Sequence, residues 1–112
     1  MPSELPSSTR EFITRHIVSV EELEVLLILH EANDRSWTAL EINERLRSQE
    51  SSIAKWLDAL VALGLAQQGD GRYRYAPASA KLARDTSALA EAYRARRIKV
   101  IELIFAKPSE SL

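Results

Sequence analysis

A short run of polar and basic side chains begins at Gln49 and has the chemistry to contact a polyanion. Ser51, Ser52 and Lys55 lie off the apolar stripe of the same predicted helix, so they face outward. A helix N-terminus also carries a partial positive charge that favours phosphate. We expect Gln49, Ser51, Ser52 and Lys55 to contact nucleic acid, although serines at a helix start can also serve only to cap and solvate it.

Two arginines alternate with two tyrosines over residues 72–75. Side chains alternate between the two faces of a strand, so Arg72 and Arg74 share one face, and Tyr73 and Tyr75 share the other and pack on the core. Arginines placed in this way can contact the phosphate backbone. The alternative is an ordinary edge strand, where charge prevents unwanted pairing with other strands.

Several other kinds of chemistry have no support in the sequence. There is no cysteine, which excludes disulfides, zinc ribbons and thiol nucleophiles. We find no catalytic triad order, phosphate loop or paired catalytic carboxylates, so we expect no enzymatic activity and no cofactor. His30 and Asp34 are only two ligands, too few for a metal site. The N-terminal residues lack a signal peptide and the apolar runs are short, so we expect a cytoplasmic chain without membrane contact.

Charge is distributed unevenly along the chain. The net charge is −1. Residues 1–37 carry three basic and seven acidic groups, whereas residues 69–107 carry nine basic and four acidic groups. This asymmetry indicates that the second half of the chain is the part that faces a polyanion.

The positions of glycine and proline predict a mainly helical fold. Neither residue occurs over 7–63, and neither occurs over 78–107. Both are strong helix breakers, so these stretches should be helical, with an irregular region between them. A chain of 112 residues has room for one domain.

The spacing of apolar residues and caps divides the first stretch into four helices. We expect helices over about 10–17, from Ser19 to Asn33, over 39–47 and over 51–63. Ser19 with Glu22, and Thr38 with Glu41, have the capping-box spacing in which each side chain bonds the other residue's N–H. The second helix is apolar on most sides, which indicates a central position.

A change of period follows the last of these helices. Gly64 fits a left-handed helix end, and Gly69-Asp70-Gly71 fits the tip of a tight hairpin. We therefore predict two short antiparallel strands within residues 66–75.

The C-terminal stretch predicts one long helix over 79–107. The 28 residues from Ser79 to Ala106 would span roughly 42 Å if continuous, whereas a domain of this size has a radius of gyration of about 13 Å. The exposed apolar residues would then need a second chain, which predicts a homodimer. The alternative is a break at 85–87 that folds the tail back over the core. The predicted interface consists of Leu89, Tyr93, Val100, Ile101, Ile104 and Phe105.

The region 38–75 resembles the winged helix-turn-helix of bacterial MarR-type and ArsR-type transcriptional regulators. Lys55 and Asp58 occupy positions where MarR-type proteins often have a basic residue and an aspartate, and 70–72 resembles their Asp-x-Arg wing tip. The apolar pattern that carries the resemblance consists of Ile53, Leu57, Leu60, Gly64 and Leu65.

The resemblance implies a sequence-specific regulator that binds double-stranded DNA as a homodimer. Helix 51–63 would enter the major groove, the wing 66–75 would lie on the backbone, and Thr38 would anchor a phosphate. The alternative is a winged-helix module that binds a protein of the transcription machinery, which an exposed Trp56 would favour.

The winged-helix interpretation also divides the chain into four parts. It predicts a flexible segment 1–9, a winged-helix domain 10–78, a dimerisation helix 79–107 and a flexible tail 108–112.

Overall fold

The computed structural model describes residues 5–106. These residues form six helices and one antiparallel two-stranded sheet, which confirms the prediction of a mainly helical fold. The elements are α1 (Ser7–His16), α2 (Val20–Glu31), α3 (Ala39–Leu46), α4 (Glu50–Ala62), β1 (Ala66–Gly69), β2 (Arg72–Tyr75), α5 (Ala80–Ala95) and α6 (Arg97–Phe105).

Helix α2 is the centre of the fold, as its apolar sequence predicts. Leu23, Leu26 and Leu29 are fully buried, and the helix packs on α3, α4, α5 and β2. The Ser19 hydroxyl caps its start by accepting from the Glu22 N–H at 3.0 Å. The Glu22 carboxylate accepts from the Val18 N–H at 2.8 Å instead of completing the predicted reciprocal pair with Ser19.

Helices α3 and α4 are joined by three residues and pack against each other. Thr38 and Glu41 form the predicted capping box at the start of α3. The left-handed conformation of Arg47 (φ 59°) ends α3 and turns the chain into α4. Gly64, at φ 83°, ends the α4 segment as predicted.

The hairpin has the tight geometry that its glycines predict. Gly69 pairs with Arg72, which leaves a two-residue loop in which Asp70 and Gly71 both have positive φ. This is the type I′ arrangement, which matches the natural twist of two strands. The sequence did not predict that Trp37 joins the hairpin as an isolated bridge, with both N–H···O contacts to Tyr73 at 2.7 Å.

The predicted continuous helix over 79–107 is wrong, because the chain bends at Arg96 and forms α5 and α6. Arg96 has φ −140° and ψ 56°, outside the helical region. The bend lets α6 pack on α1 and α5 and buries Val100 and Ile104, which a straight helix would expose. The tail thus folds back, as in the alternative interpretation, but the bend is not at 85–87.

The N-terminal helix begins earlier than expected. Helix α1 starts at Ser7 rather than Arg10, and Leu5 and Thr9 are buried. Part of the predicted segment 1–9 therefore belongs to α1 or packs at its start. The rest of the predicted flexible start, residues 1–4, and the predicted tail 108–112 lie outside the described residues.

Across residues 5–106, every helix is too short or too polar to cross a membrane.

Candidate nucleic-acid interface

The start of α4 presents the predicted polar side chains to solvent. Gln49, Ser51 and Lys55 are exposed, while Ile53 and Leu57 on the other side of the helix are fully buried. The buried stripe fixes the rotation of α4 against α2 and α3. The predicted outward orientation of Gln49, Ser51 and Lys55 is therefore confirmed, and what they bind stays a prediction.

Ser52 does not share this orientation, because its hydroxyl donates to the carboxylate of Glu21 at the start of α2. The Trp56 indole N–H donates to the same carboxylate oxygen at 2.8 Å. Burial acts to raise the pKa of Glu21, but hydrogen bonds from Ser48, Ser52 and Trp56 outweigh it and lower that pKa. Glu21 thus remains ionised and holds α4 to α2.

Lys55 is positioned by its neighbour on the helix. Its amino group lies 4.9 Å from the ring centroid of Trp56, a cation–π contact. Trp56 is half-buried, which agrees with its predicted place at the border of the core stripe. The contact keeps an exposed positive charge on the α4 surface.

The hairpin is attached to α4 through Tyr73. Tyr73 is buried, and its hydroxyl donates to the Asp58 carboxylate on α4 at 2.9 Å. Burial of the ring, and then the Asp58 carboxylate, raise the pKa of Tyr73, so the hydroxyl remains a donor. This bond links β2 to α4 through one side chain, and β1 makes the backbone contact between the hairpin and the helix.

The two hairpin arginines have different environments, although both lie on the face opposite Tyr73. Arg74 is exposed. Arg72 is half-buried: its Nε donates to the Ser36 hydroxyl at 2.9 Å, and one terminal nitrogen lies 3.2 Å from the Glu41 carboxylate. Part of the donor capacity of Arg72 is therefore used inside the molecule.

Glu41 collects several donors at the start of α3. Its carboxylate accepts from the Thr38 N–H at 3.0 Å and from Arg35 at 2.9 Å, in addition to Arg72. The pKa of Glu41 is lowered chiefly by the Thr38 hydrogen bond, with further contributions from the two guanidinium groups. Thr38 itself is half-buried. Its hydroxyl oxygen accepts from the Glu41 N–H and caps α3, so the predicted phosphate anchor already has a hydrogen-bond partner inside the chain.

A shallow groove of about 640 Å³ lies between the tip of the hairpin and residues 34–36 of the α2–α3 loop. Three arginine and two aspartate side chains line it, so its walls are strongly polar but close to neutral overall. Arg35 is held there by stacking on the Trp37 ring at 3.8 Å. The residues that line the groove are Asp34, Arg35, Ser36, Gly69, Asp70, Arg72 and Arg74.

Three of the six residues predicted for the dimer interface pack in the core of the single chain instead. Leu89, Val100 and Ile104 are buried in the fold of the single chain. Tyr93 and Ile101 are half-buried, and Phe105 is exposed.

His30 contacts side chains of α5 and β2. Its Nε2 lies 3.3 Å from the Ser87 hydroxyl, and its ring meets the Tyr75 ring edge-on. Burial, followed by the charge of Arg94, lowers the pKa of His30. Residues 5–106 contain no cluster of three or more metal-ligating side chains.

Sequence reasoning missed two residues that organise this surface, Glu21 and Arg35. The three-residue steps of the capping boxes are visible in a sequence, whereas Glu21 and Trp56 are 35 residues apart. No local pattern marks such a contact.

No known protein family, characterised protein or solved structure matches this chain.

Proposed function

We propose that the chain is a sequence-specific, DNA-binding transcriptional regulator that acts as a homodimer. In this proposal α2, α3, α4 and the hairpin form a winged helix-turn-helix. Helix α4 enters the major groove and the hairpin lies along the adjacent backbone. Gln49, Ser51 and Lys55 contact the DNA from α4, and Arg74 contacts a phosphate from β2.

One observation carries the proposal: the Tyr73–Asp58 bond, which attaches the hairpin to the helix that carries Lys55. The exposed cations Lys55 and Arg74 therefore lie on two elements that this bond links, with Arg74 on the strand face opposite Tyr73. A DNA duplex has a groove beside a charged backbone. In a winged helix-turn-helix, the recognition helix contacts bases in the groove and cations on the wing contact the backbone.

The bonds inside the molecule narrow the set of contacts. Ser52 is bound to Glu21, Thr38 is bound in its capping box, and Arg72 is bound to Ser36 and Glu41. Lys55 and Arg74 are the two exposed cations that remain in the predicted set of contacts, so two half-sites are needed for useful affinity. This is why the proposal includes a homodimer.

The test is fluorescence anisotropy of a labelled duplex of mixed sequence, titrated with the protein at several salt concentrations. Lys55→Ala and Arg74→Ala should each weaken binding and reduce the slope of log K against log salt by about one unit, the effect of one lost phosphate contact. Arg84→Ala, which removes an exposed arginine of α5, is the matched control and should change neither quantity. Unchanged binding in both α4 and hairpin variants would contradict the proposal.

The alternative is a winged-helix module that binds a protein of the transcription machinery. The observation that favours it is the internal use of Ser52 and Arg72, which leaves few donors for a duplex. It predicts no retention of DNA even at low salt, together with stoichiometric capture of a protein partner.

A further inference from the structure

Helix α6 has a second apolar face that its own chain leaves exposed. Of the four exposed large hydrophobic side chains within residues 5–106, two lie on α6: Ile98 is 65% exposed and Phe105 is 77% exposed. Ile101, half-buried, lies between them. Steps of three and four residues place all three on one stripe of the helix.

This stripe is distinct from the face that packs on the rest of the chain. Val100 and Ile104 are 0% and 5% exposed and point into the core. At 100° per residue, the exposed stripe is centred about a third of a turn away from them. One side of α6 therefore anchors the helix, and a neighbouring side offers apolar area to another molecule.

The charges beside the stripe indicate what that molecule is. Ile98, Ile101 and Phe105 have the spacing of successive a, d and a positions in a heptad, and Arg97 and Glu102 then hold the flanking g and e positions. In two parallel helices, a g residue meets the e residue five positions further along the other chain. Two copies of α6 side by side would form this pair twice.

Two antiparallel helices lack this charge complementarity, because g positions then face g positions and e positions face e positions. Arg97 remains largely exposed for the parallel pair. Its side chain is 62% exposed, its guanidinium lies 5.3 Å from the centroid of the Tyr93 ring, and the Glu24 carboxylate is 3.9 Å away, a long ion pair.

We propose that α6 pairs in parallel with α6 of a second copy of this chain, through Ile98, Ile101 and Phe105. Arg97 of each copy lies against Glu102 of the other. The inference rests on the proposed dimeric function and names the surface that joins the two copies. A nine-residue helix is about 13 Å long, too short to bury the roughly 800 Å² per partner of a standard interface, so the dimer is weak and depends on concentration.

The test is sedimentation equilibrium of the full chain over a wide concentration range. The wild type should show a reversible monomer–dimer equilibrium, and Phe105→Glu should be monomeric. Phe105 is exposed, so the variant should retain the wild-type thermal unfolding curve. A wild type that is monomeric throughout, or a dimer that tolerates Phe105→Glu, would overturn the proposal.

Charge reversal tests the parallel orientation. Arg97→Glu alone and Glu102→Arg alone should each raise the dimer Kd about tenfold, since two exposed ion pairs become two like-charge contacts. The double variant Arg97→Glu/Glu102→Arg should restore the wild-type Kd. Failure of the double variant to recover would contradict parallel pairing.

The anisotropy assay separates this inference from the proposed function. Phe105→Glu should lose the dimer and still bind a duplex weakly through α4, whereas Lys55→Ala should lose DNA affinity and keep the dimer. A wild type that dimerises through α6 but binds no duplex would contradict DNA binding and leave the α6 interface standing.

Discussion

At the scale of single residues, two carboxylates determine which candidate side chains remain available. Glu21 accepts from Ser52 and Trp56, and Glu41 accepts from Arg35 and Arg72. Both carboxylates therefore order groups of the candidate interface while reducing the number that can contact a ligand. A residue chosen from its type alone can be a ligand contact or a structural bond, and only its partner distinguishes the two.

The lowered pKa of Glu41 predicts how stability depends on acid. Its contribution is complete above the ordinary value of 4.5 and is lost as pH falls through the lower pKa of the folded state, because the unfolded chain binds the proton more readily. Glu41→Gln should therefore unfold with a flatter dependence on pH in this acidic range. Urea unfolding at a series of pH values measures this, and parallel curves for the two proteins would contradict it.

At the scale of elements, the two turns that depend on glycine differ in how much folding free energy an added side chain would remove. Gly64 has φ 83°, and an added Cβ would lie 3.3 Å from the Ala78 Cβ. Gly71 has φ 75°, with open space around it. Gly69 has neither a positive φ nor a neighbour within 4 Å.

These geometries predict a graded series in unfolding free energy. Gly71→Ala should cost about 1 kcal/mol from backbone strain. Gly64→Ala should cost about 2 kcal/mol or more, since the contact with Ala78 adds to the strain. Gly69→Ala is the matched control and should change the denaturation midpoint little. Equal losses at all three positions would contradict the turn geometry.

The elements that sequence reasoning predicted well are those with local signals. The capping box at Thr38, the left-handed Gly64 and the hairpin tip at Gly71 each depend on residues a few positions apart. The bend at Arg96 has no such signal, because neither glycine nor proline stands there. It results from burial of Val100 against distant helices, and tertiary packing of this kind overrides local helix preference.

For the candidate site, the sequence predicted which side chains are exposed but not which of them are bound to other parts of the chain. The exposure of Ser51 and Lys55 follows from the apolar period of α4. The binding of Ser52 to Glu21 and of Arg72 to Glu41 depends on contacts across more than 30 residues, which no local pattern specifies.

At the scale of the whole molecule, the two proposed surfaces lie on different elements. The DNA surface belongs to α4 and the hairpin, and the second-copy surface belongs to α6. Helices α5 and α6 pack on α1 and on each other, while Ser51 and Lys55 stay exposed. This arrangement lets two copies join without using the side chains proposed to contact DNA.

The most direct test of DNA binding is a ¹H–¹⁵N correlation spectrum of the labelled protein, titrated with a mixed-sequence duplex at low salt. The account predicts amide shifts concentrated at residues 49–55 and 69–74, with the resonances of α5 largely unchanged. An unchanged spectrum, or shifts confined to α5 and α6, would contradict it.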